Sequence, residues 1–481
     1  MLIGAETCPA PECNLAPRDV ERLVDDLAAY HALFAPLFFR SDQADWAAHY
    51  LQGLLGDCPR KSIEPMALAL GLNVRTMQHF IGQSTWATAP LVAAHQSLVG
   101  TTLGEADGVI LVDESGVVKQ GTDSAGVGYQ YCGSVGKVAN CQVGVYLGYA
   151  SRKGYTLLDG QLFVPESWFD AAHAALRTTV GLPAALAFQT KPVIALGLLT
   201  DMLERGHMPA RWLVADALYG DSPAFRDGVA SLGLWYFTAV ACSTLIWRRH
   251  PALIVPVGSG KGRKPTRQQL KTPSNQPYRV DRLVQWLPKT SWMRALIKEG
   301  SKGPIVCAIA CIRVTDARKG LPGLRQWLIL RRNVTDPAVV KYYLCNAPAT
   351  ISVADLVRMC GMRWPVELCF EESKGEIGLD HTETRSWVGW HHHSVLVLLA
   401  HHFLVWTRVR WQALAPALTL YQVRLLLISV LPKPVFDAVR ALEIIRYSQR
   451  RNHAAYVSHR KRKIAQLAAR GDLAPHIGGA L

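Results

Sequence analysis

Two aspartates stand where buried strands are predicted to end. Asp113 follows the apolar run of GVILVDESG, and Asp216 follows that of ARWLVADALYGDS. Ligands of α/β sheets collect beyond such strand ends. Since Mg²⁺ favours one or two carboxylates together with water and phosphate oxygens, the pair is compatible with a magnesium site. An aspartate at a strand end is also a common turn former, so each residue alone leaves both interpretations open.

A third acid, Glu367, lies in the stretch RWPVELCFEESKGEIGLD. Pro365 suits the first position of a helix, which places Glu367 in the first turn, where the helix dipole favours an ionised carboxylate. Glu367, Glu371 and Lys374 follow the i, i+4, i+7 spacing and share one helix face. That face fits a ligand site and equally fits an exposed face with salt bridges, and the local pattern does not choose between them.

The elements around these acids predict a mixed α/β sheet. GVILVDESG, NCQVGVYLGYAS and TLLDGQLFVP have strand character, and helix and strand then alternate through KPVIALGLLTDMLERG, ARWLVADALYGDS and LWYFTAVA. Apolar residues at three- and four-residue spacing predict helices over residues 18–100. ISVADLVRMCG begins a second helical region that continues to about residue 470.

The chain resembles bacterial insertion-sequence transposases that carry a DDE catalytic triad on an RNase H-like fold. Their third-acid signature is Y-(2)-R-(3)-E-(6)-K; Arg363, Glu367 and Lys374 meet its R, E and K spacings, whereas Cys360 occupies the Tyr position. DESGVVKQGTDSAGVGYQYCGSVGKVANCQVGVYLGYAS is similar to the first-Asp region of one branch, ADALYGD to its second-Asp strand and GLDHTETRSW to its post-Glu segment. The resemblance covers roughly residues 15–410.

The resemblance implies an activity and its site. Asp113, Asp216 and Glu367 would be the catalytic residues and would hold two Mg²⁺ ions, with Mn²⁺ as an alternative. Two-metal phosphoryl transfer would cleave the ends of an insertion sequence and join them to target DNA. Glu114 is the alternative first acid; it follows Asp113 directly and therefore points to the opposite face of a strand.

The resemblance also implies partners. Arg363 and Lys374 would bind DNA phosphates near the scissile bond. The partners would be transposon-end DNA with inverted repeats and target DNA, bound by a homodimer. We expect the protein in the bacterial cytoplasm, associated with the nucleoid and not with a membrane.

Five regions follow from this interpretation. We predict a helical N-terminal DNA-binding region, an RNase H-like core in two parts with the Glu in the second, a basic β-rich insertion domain between those parts, and a basic helical C-terminal region. Their ranges are 1–100, 101–241 with 351–410, 242–350, and 411–481.

Charge is distributed unevenly along the 481 residues, whose formal net charge is +15. Residues 246–302 carry thirteen basic and two acidic side chains, and residues 440–470 carry nine and one, whereas residues 1–100 carry six and ten. Two basic blocks favour a nucleic-acid partner, although solvated basic loops would look the same. Within the first block we predict DNA contacts from Lys261, Arg263, Lys264 and Arg267.

Other aromatic and helical features leave two interpretations each. SIEPMALALGLNVRTMQHFIG reads as a helix-turn-helix, with Arg75, Gln78 and His79 as polar contacts, or as an ordinary helical hairpin. The aromatic candidates for stacking on an unpaired base, which could equally be core residues, are Trp247, Trp286 and Trp292.

The histidine-rich segment and the remaining glutamates are expected on helix surfaces. Consecutive histidines fan around a helix and do not all reach one ion, so we predict that His391 to His393, His401 and His402 lie on a surface beside DNA rather than in a zinc site. Glu371, Glu372 and Glu376 are interpreted as surface charges.

Several classes of protein fit less well. The longest apolar segment, SVLVLLAHHFLVW, contains two histidines and is shorter than a membrane span. The scattered cysteines show no paired zinc-ligand spacing, and no secretory signal is evident. A glycosidase with paired carboxylates would leave the basic blocks unexplained. A non-catalytic DNA-binding relative that keeps the fold remains the main alternative to an active transposase.

Overall fold

The computed structural model describes residues 11–257, 266–300 and 303–470. The N-terminal region is helical, as its apolar spacing predicts. Its helices are α1 Pro17–Glu21, α2 Leu23–Ala32, α3 Ser41–Leu55, α4 Ile63–Ala69, α5 Val74–Gly82 and α6 Thr88–Leu103.

Among the described residues, ten strands and five α-helices follow, to residue 286. The strands are β1 Val109–Val118, β2 Gly128–Cys132, β3 Lys137–Ala150, β4 Tyr155–Phe163, β5 Trp212–Ala215, β6 Trp235–Val240, β7 Leu245–Trp247, β8 Leu253–Ile254, β9 Gln269–Leu270 and β10 Tyr278–Arg279. The helices between them are α7 Ala174–Thr179, α8 Lys191–Arg205, α9 Ala217–Gly220, α10 Pro223–Ser231 and α11 Val280–Trp286.

Four longer strands precede the C-terminal helices. The strands are β11 Met293–Gly300, β12 Gly303–Arg318, β13 Leu321–Asn333 and β14 Val340–Cys345. The helices are α12 Val353–Met359, α13 Trp364–Gly375, α14 Trp387–Arg410, α15 Leu420–Val430 and α16 Ala438–Ala469.

The centre of the molecule is a sheet in the order β4-β3-β1-β5-β6. β3 runs antiparallel to β1 and β4, whereas β5 is parallel to β1 and β6 is parallel to β5. Residues 141–150 of β3 are buried without interruption, as expected for a strand covered on both faces. This mixed sheet confirms the predicted α/β fold class.

Most strands of the predicted insertion, residues 242–350, extend this sheet, whereas β8 and β9 pair only with each other. β14 pairs antiparallel with β6, and β13 and β12 continue the same sheet outward, with β11 beside β12. The core sheet and the long β-strands are thus one hydrogen-bonded unit. The limits of the five predicted regions stay a prediction.

Helix α14 forms the centre of the helical layer. Its residues are buried on nearly every side between Gly389 and Val405, and it packs against α3, α5, α6 and β4. A helix that is apolar all round belongs in a core. Helix α13 immediately precedes α14 and contacts β1. The helical layer around α14 therefore holds α13 in place against the sheet.

Candidate active site

Asp113 and Asp216 lie side by side on adjacent parallel strands. Val112 of β1 and Ala215 of β5 are paired in register, and each aspartate is the next residue. Neighbouring strands are about 4.8 Å apart, so the two carboxylates lie close together at the edge where β5 ends. The prediction that a strand ends at Asp113 is wrong, because β1 continues to Val118 through its pairing with β3. Asp216 also caps α9, since its Oδ1 accepts a hydrogen bond from the backbone N–H of Leu218 at 3.0 Å.

Burial shapes the acidity of Asp113, whose exposed fraction is only 9%. Burial raises its pKa to about 7; Arg363 opposes this rise, and the nearby carboxylate of Asp216 adds to it. Asp113 Oδ1 accepts a hydrogen bond of 2.8 Å from the backbone N–H of Glu114. A cation bound here would stabilise the charged forms of these two neighbouring carboxylates.

Glu114 faces a different environment. Its carboxylate lies 2.8 Å from the ammonium of Lys191 on α8 and so already has a positive partner. Successive residues of a strand point to opposite faces, which separates Glu114 from Asp113. This placement favours Asp113 over the alternative as the first acid.

Helix α13 brings the third acid to the same edge. Glu367 lies in its first turn, as predicted, although the helix begins at Trp364 and Pro365 therefore stands at the second position. Arg363 Nη2 lies 3.6 Å from Glu367 Oε1 and 3.7 Å from Asp113 Oδ2. The guanidinium thus links the acid of β1 to the acid of α13.

The donor set fits a hard divalent cation. Within residues 11–257, 266–300 and 303–470, no three His, Cys, Asp or Glu side chains converge closely enough to form a complete metal site by themselves. Mg²⁺ does not need such a cage, because it takes one or two carboxylates and fills its remaining positions with water and phosphate oxygens. The adjacent oxygens of Asp113 and Asp216, with Glu367 beyond Arg363, meet that requirement. The assignment of these three residues stays a prediction.

A basic cavity that the sequence did not reveal adjoins Glu367. It measures about 180 Å³, and its charged lining residues are Lys298, Arg331, Lys341, Arg363 and Glu367. The first three come from β11, β13 and β14, so the extended sheet supplies positive charge next to the acids. Basic residues within those strand sequences were the available signal, but their approach to α13 depends on strand pairing.

Trp364 forms one wall of this basic cavity. Its side chain is 46% exposed, and the Lys298 ammonium lies 3.3 Å from its ring centroid, a cation–π contact. Opposite it, the carbonyl of Cys360 accepts a hydrogen bond of 2.7 Å from Arg331 Nη1. Burial raises the pKa of the Cys360 thiol to about 12, so this residue acts as packing where the family signature has a tyrosine.

The predicted DNA-contact residues lie in different settings. Lys374 is half-buried, its Nζ lies 3.5 Å from the carbonyl of Gly116 on β1, and burial lowers its pKa. Arg267 is exposed. Lys261, Arg263 and Lys264 lie outside the described residues. All six DNA-contact assignments remain predictions.

The tryptophans differ in exposure. Trp247 is buried, with its Nε1 donating a hydrogen bond of 2.9 Å to the carbonyl of Asn275, so the stacking interpretation is wrong for it. Trp286 is 57% exposed, and Trp292 carries the guanidinium of Arg332 at 3.9 Å from its ring.

The prediction that the histidines lie on a helix surface is wrong. His392, His393, His401 and His402 are buried on α14. His393 Nδ1 lies 2.8 Å from the Tyr50 hydroxyl of α3, and burial lowers the pKa of this imidazole to about 4. The reason is that α14 is buried on nearly all sides, so its histidines are uncharged and contact the surrounding helices.

Two of the three glutamates expected on the surface are also placed otherwise. Glu372 accepts a hydrogen bond of 2.9 Å from the Tyr155 hydroxyl and lies 3.2 Å from His401 Nε2. Glu376 accepts one of 2.7 Å from Arg424 Nε. Only Glu371 is exposed as predicted. α13 is therefore packed on the face opposite the acids, which holds Glu367 in place.

Comparisons with known proteins show which family the chain resembles. The family described as DDE superfamily endonuclease matches residues 33–304, more than half of the chain, a range that includes Asp113 and Asp216. A protein of Microchaete diplosiphon named "Probable transposase for insertion sequence element IS701" is 24% identical over 328 residues, which are 68% of this chain and 73% of that protein.

Among solved structures, the piggyBac transposase synaptic complex with hairpin DNA is similar to this chain. The match has a TM-score of 0.37 at 9% sequence identity and covers 89% of each chain. Across the three described ranges, none of the helices has the length and apolar character that crossing a bilayer requires.

Proposed function

The chain belongs to the DDE superfamily endonucleases, and from this membership we propose that it is a DNA transposase that cleaves insertion-sequence ends and joins them to target DNA. One observation carries the proposal: Asp113 and Asp216 stand side by side at the edge of adjacent parallel strands, with Arg363 linking Asp113 to Glu367. The relative from Microchaete diplosiphon, named as an insertion-sequence transposase, supports the same substrate.

Three carboxylates would hold the metal in this proposal. Asp113, Asp216 and Glu367 would bind two Mg²⁺ ions, or Mn²⁺, which would supply Lewis-acid stabilisation of charge on the attacking and leaving oxygens of an in-line displacement. The buried setting of Asp113 excludes water from one side of the site, so its charge acts at low effective dielectric.

The chain's own cations would position the substrate. Arg363 would no longer pair with Asp113 and Glu367 once a metal cation neutralises these carboxylates. Its guanidinium would then bind a DNA phosphate in bidentate fashion. Four further cations would bind the adjoining DNA backbone. They are Lys298, Arg331 and Lys341 of the basic cavity, and Lys374 about two turns after Glu367 on α13. Orientation of this kind contributes much of the acceleration in phosphoryl transfer, where no covalent chemistry by the protein is needed.

The proposal includes partners and place. Transposon-end DNA with inverted repeats and target DNA would be the substrates, and a homodimer would bring two ends together. The reaction would take place in the bacterial cytoplasm at the nucleoid.

Cleavage of defined DNA tests this function. The purified chain is incubated with DNA containing the ends of the segment that carries its gene, with Mg²⁺ or with EDTA, and strand breaks are mapped at nucleotide resolution. Asp113→Asn, Asp216→Asn and Glu367→Gln should each abolish cleavage. Asparagine keeps an oxygen that can accept the N-cap hydrogen bond from Leu218, so Asp216→Asn tests charge rather than helix capping.

Two matched variants serve as controls. Glu114→Gln alters the residue next to Asp113, and Glu371→Gln alters the same helix as Glu367; both should retain cleavage. DNA binding without any metal-dependent break in the wild type would instead identify a non-catalytic relative. Loss of cleavage in Glu114→Gln but not in Asp113→Asn would overturn the assignment of the first acid.

A further inference from the structure

Helices α4 and α5 form a compact helix-turn-helix. Gly71 turns the chain between them with a φ of +72°, a conformation that favours glycine. Asn73 then caps α5, with its Oδ1 accepting a hydrogen bond of 3.1 Å from the backbone N–H of Thr76. Val74, Met77, Phe80 and Ile81 face the core, which leaves Arg75, Gln78 and His79 exposed on the opposite side.

A helix-turn-helix alone does not explain DNA binding here. Residues 1–100 contain ten acidic and six basic side chains, so the region carrying α4 and α5 is negative overall. Affinity for DNA depends chiefly on neutralising phosphates with Lys and Arg. Another part of the chain must therefore supply that charge.

Helix α16 lies directly against this motif. Arg440 Nη2 donates a hydrogen bond of 2.7 Å to the carbonyl of Leu68 at the end of α4. Arg451 forms an ion pair with Glu64 at the start of α4. These two contacts are about three turns apart on α16 and therefore fix its direction along the motif.

A groove of about 670 Å³ separates α5 from α16. Arg75 of α5 and Arg450 of α16 both line it and are both exposed. Glu443, the acidic residue of the groove wall, is already neutralised by Arg440 at 2.9 Å, and Glu64 nearby pairs with Arg451. The net field along the groove is therefore positive.

Helix α16 continues beyond the motif as a positively charged rod. None of its residues, Ala438 to Ala469, is buried, and residues 440–470 contain nine basic side chains and one acidic one. At about 100° per residue, Lys461 lies within about 20° of Arg450 around the helix axis. Lys463 points to the other side of the same helix, about 140° away from Arg450, and Arg460 lies on the flank, about 80° away.

We propose that the exposed face of α5 and the Arg450 face of α16 form one binding surface for double-stranded DNA. In it, Arg75, Gln78 and His79 meet base edges in the major groove, and Arg450 and Lys461 bind phosphates. Residues near the start of a recognition helix are those that reach base edges in this motif. The surface is distinct from the acidic site on the sheet, and it rests on the proposed transposase function for the identity of its DNA.

Binding measured in EDTA tests the surface separately from cleavage. Fluorescence anisotropy is recorded for the full chain with a labelled duplex from the end of the segment that carries the gene, and with a shuffled duplex of equal composition. The double variant Arg450→Glu with Lys461→Glu should bind both duplexes at least about tenfold more weakly. The slope of log Kd against log salt should fall by about 2, one for each phosphate that the variant no longer neutralises.

A matched double variant controls for total charge. Arg460→Glu with Lys463→Glu makes the same change in net charge on the same exposed helix and should bind both duplexes with less than about a threefold loss. Gln78→Ala should weaken binding to the end duplex by about fivefold or more and leave the shuffled duplex unchanged. Because these side chains are exposed, far-ultraviolet circular dichroism should be the same for every variant.

The outcomes separate this surface from the catalytic proposal. Equal losses in both double variants, or no loss in either, would overturn the shared α5–α16 surface while leaving cleavage by the acidic site untouched. A wild-type chain that binds the end duplex but never cleaves it would refute the catalytic proposal and leave this surface standing. Failure of the wild type to bind either duplex would refute both.

Discussion

Arg363 Nη2 lies 3.7 Å from Asp113 Oδ2, so a carboxylate buried at the edge of the sheet has an arginine from helix α13 as its cationic neighbour. Burial nevertheless raises the pKa of Asp113 to about 7. The arginine thus offsets only part of the desolvation of this group. The balance between the two effects makes the site sensitive to pH.

Stability should respond to the titration of Asp113. Its pKa is above the ordinary value of 3.8, so the native state binds this proton more tightly than the unfolded state does. Stability from this group is therefore full below about pH 4 and is lost as pH rises toward 7, by at most about 4 kcal/mol. Asp113→Asn should remove that loss, so the variant should exceed the wild type in free energy of unfolding at pH 8 in EDTA.

Urea denaturation at pH 5, 6, 7 and 8 measures this effect. The stability advantage of Asp113→Asn should grow with pH, and Mg²⁺ should reduce it by stabilising only the wild type. Arg363→Ala is a second arm: without the arginine the pKa of Asp113 rises further, so the loss continues to higher pH. An advantage that does not change with pH would contradict the raised pKa.

Sequence patterns were sufficient for the two aspartates and insufficient for their surroundings. The apolar runs mark both residues as candidates, but only Asp216 follows the end of its strand as predicted, because β1 continues past Asp113 to Val118. Glu367 required the family spacing, because its helix face resembles any charged face. Lys298 and Lys341 meet Glu367 only through the pairing of distant strands, which no local pattern contains.

The errors in the C-terminal half share one physical cause. A polar residue type predicts an exposed side chain only when one face of its helix contacts solvent, and α14 has almost no such face. Its histidines find partners such as Tyr50 on α3, hundreds of residues away in sequence. Glu372 is similar, since its partners Tyr155 and Arg408 come from β4 and from the end of α14.

The Glu372 side chain should therefore stabilise the protein, whereas that of the adjacent Glu371 should not. Its carboxylate lies 3.7 Å from Arg408 and accepts a hydrogen bond from Tyr155, with only 17% of the side chain exposed. Glu372→Gln removes the charge that these donors face and should cost about 1–3 kcal/mol in urea unfolding. Glu371→Gln on the same helix should change stability by less than about 0.5 kcal/mol. Equal effects would show that the Glu372 cluster contributes nothing.

Asp316 connects β12 with helix α10. Its exposed fraction is 1%, and its Oδ2 lies 2.7 Å from Arg318 Nε and 3.1 Å from Arg226 Nη2 of α10. Asp316→Ala would leave Arg226 buried without its carboxylate, which should cost about 3–5 kcal/mol. Asp227, which pairs with the other end of Arg318, is half-exposed, so Asp227→Ala should cost less than about 1 kcal/mol.

Thermal unfolding of the two aspartate variants distinguishes the buried pair from the exposed one. If Asp316→Ala unfolds at the temperature of Asp227→Ala, the buried network does not join β12 to α10. A larger loss in Asp316→Ala that is accompanied by weaker DNA cleavage would further indicate that the basic cavity depends on this connection.

Gly220 controls the position of Asp216 through close packing. Both residues belong to α9, where Asp216 is the N-cap and Gly220 the last residue. A Cβ on Gly220 would lie 1.8 Å from the carbonyl oxygen of Ala239 on β6. Gly220→Ala must therefore push α9 away from β6 and shift its N-cap, which should reduce cleavage by about 100-fold, because a displacement near 1 Å is enough for such a loss. It should also destabilise the fold by about 1–3 kcal/mol.

Gly197 provides the matched substitution. It is exposed within α8, and nothing lies within 4 Å of a Cβ added there. Gly197→Ala should stabilise the protein by about 0.5–1 kcal/mol through the better helix propensity of alanine and leave cleavage unchanged. Cleavage rates and urea unfolding of both variants are compared with Mg²⁺ present. Retained cleavage in Gly220→Ala would show that the spacing between α9 and β6 does not set the position of Asp216, and would remove the packing argument for that carboxylate.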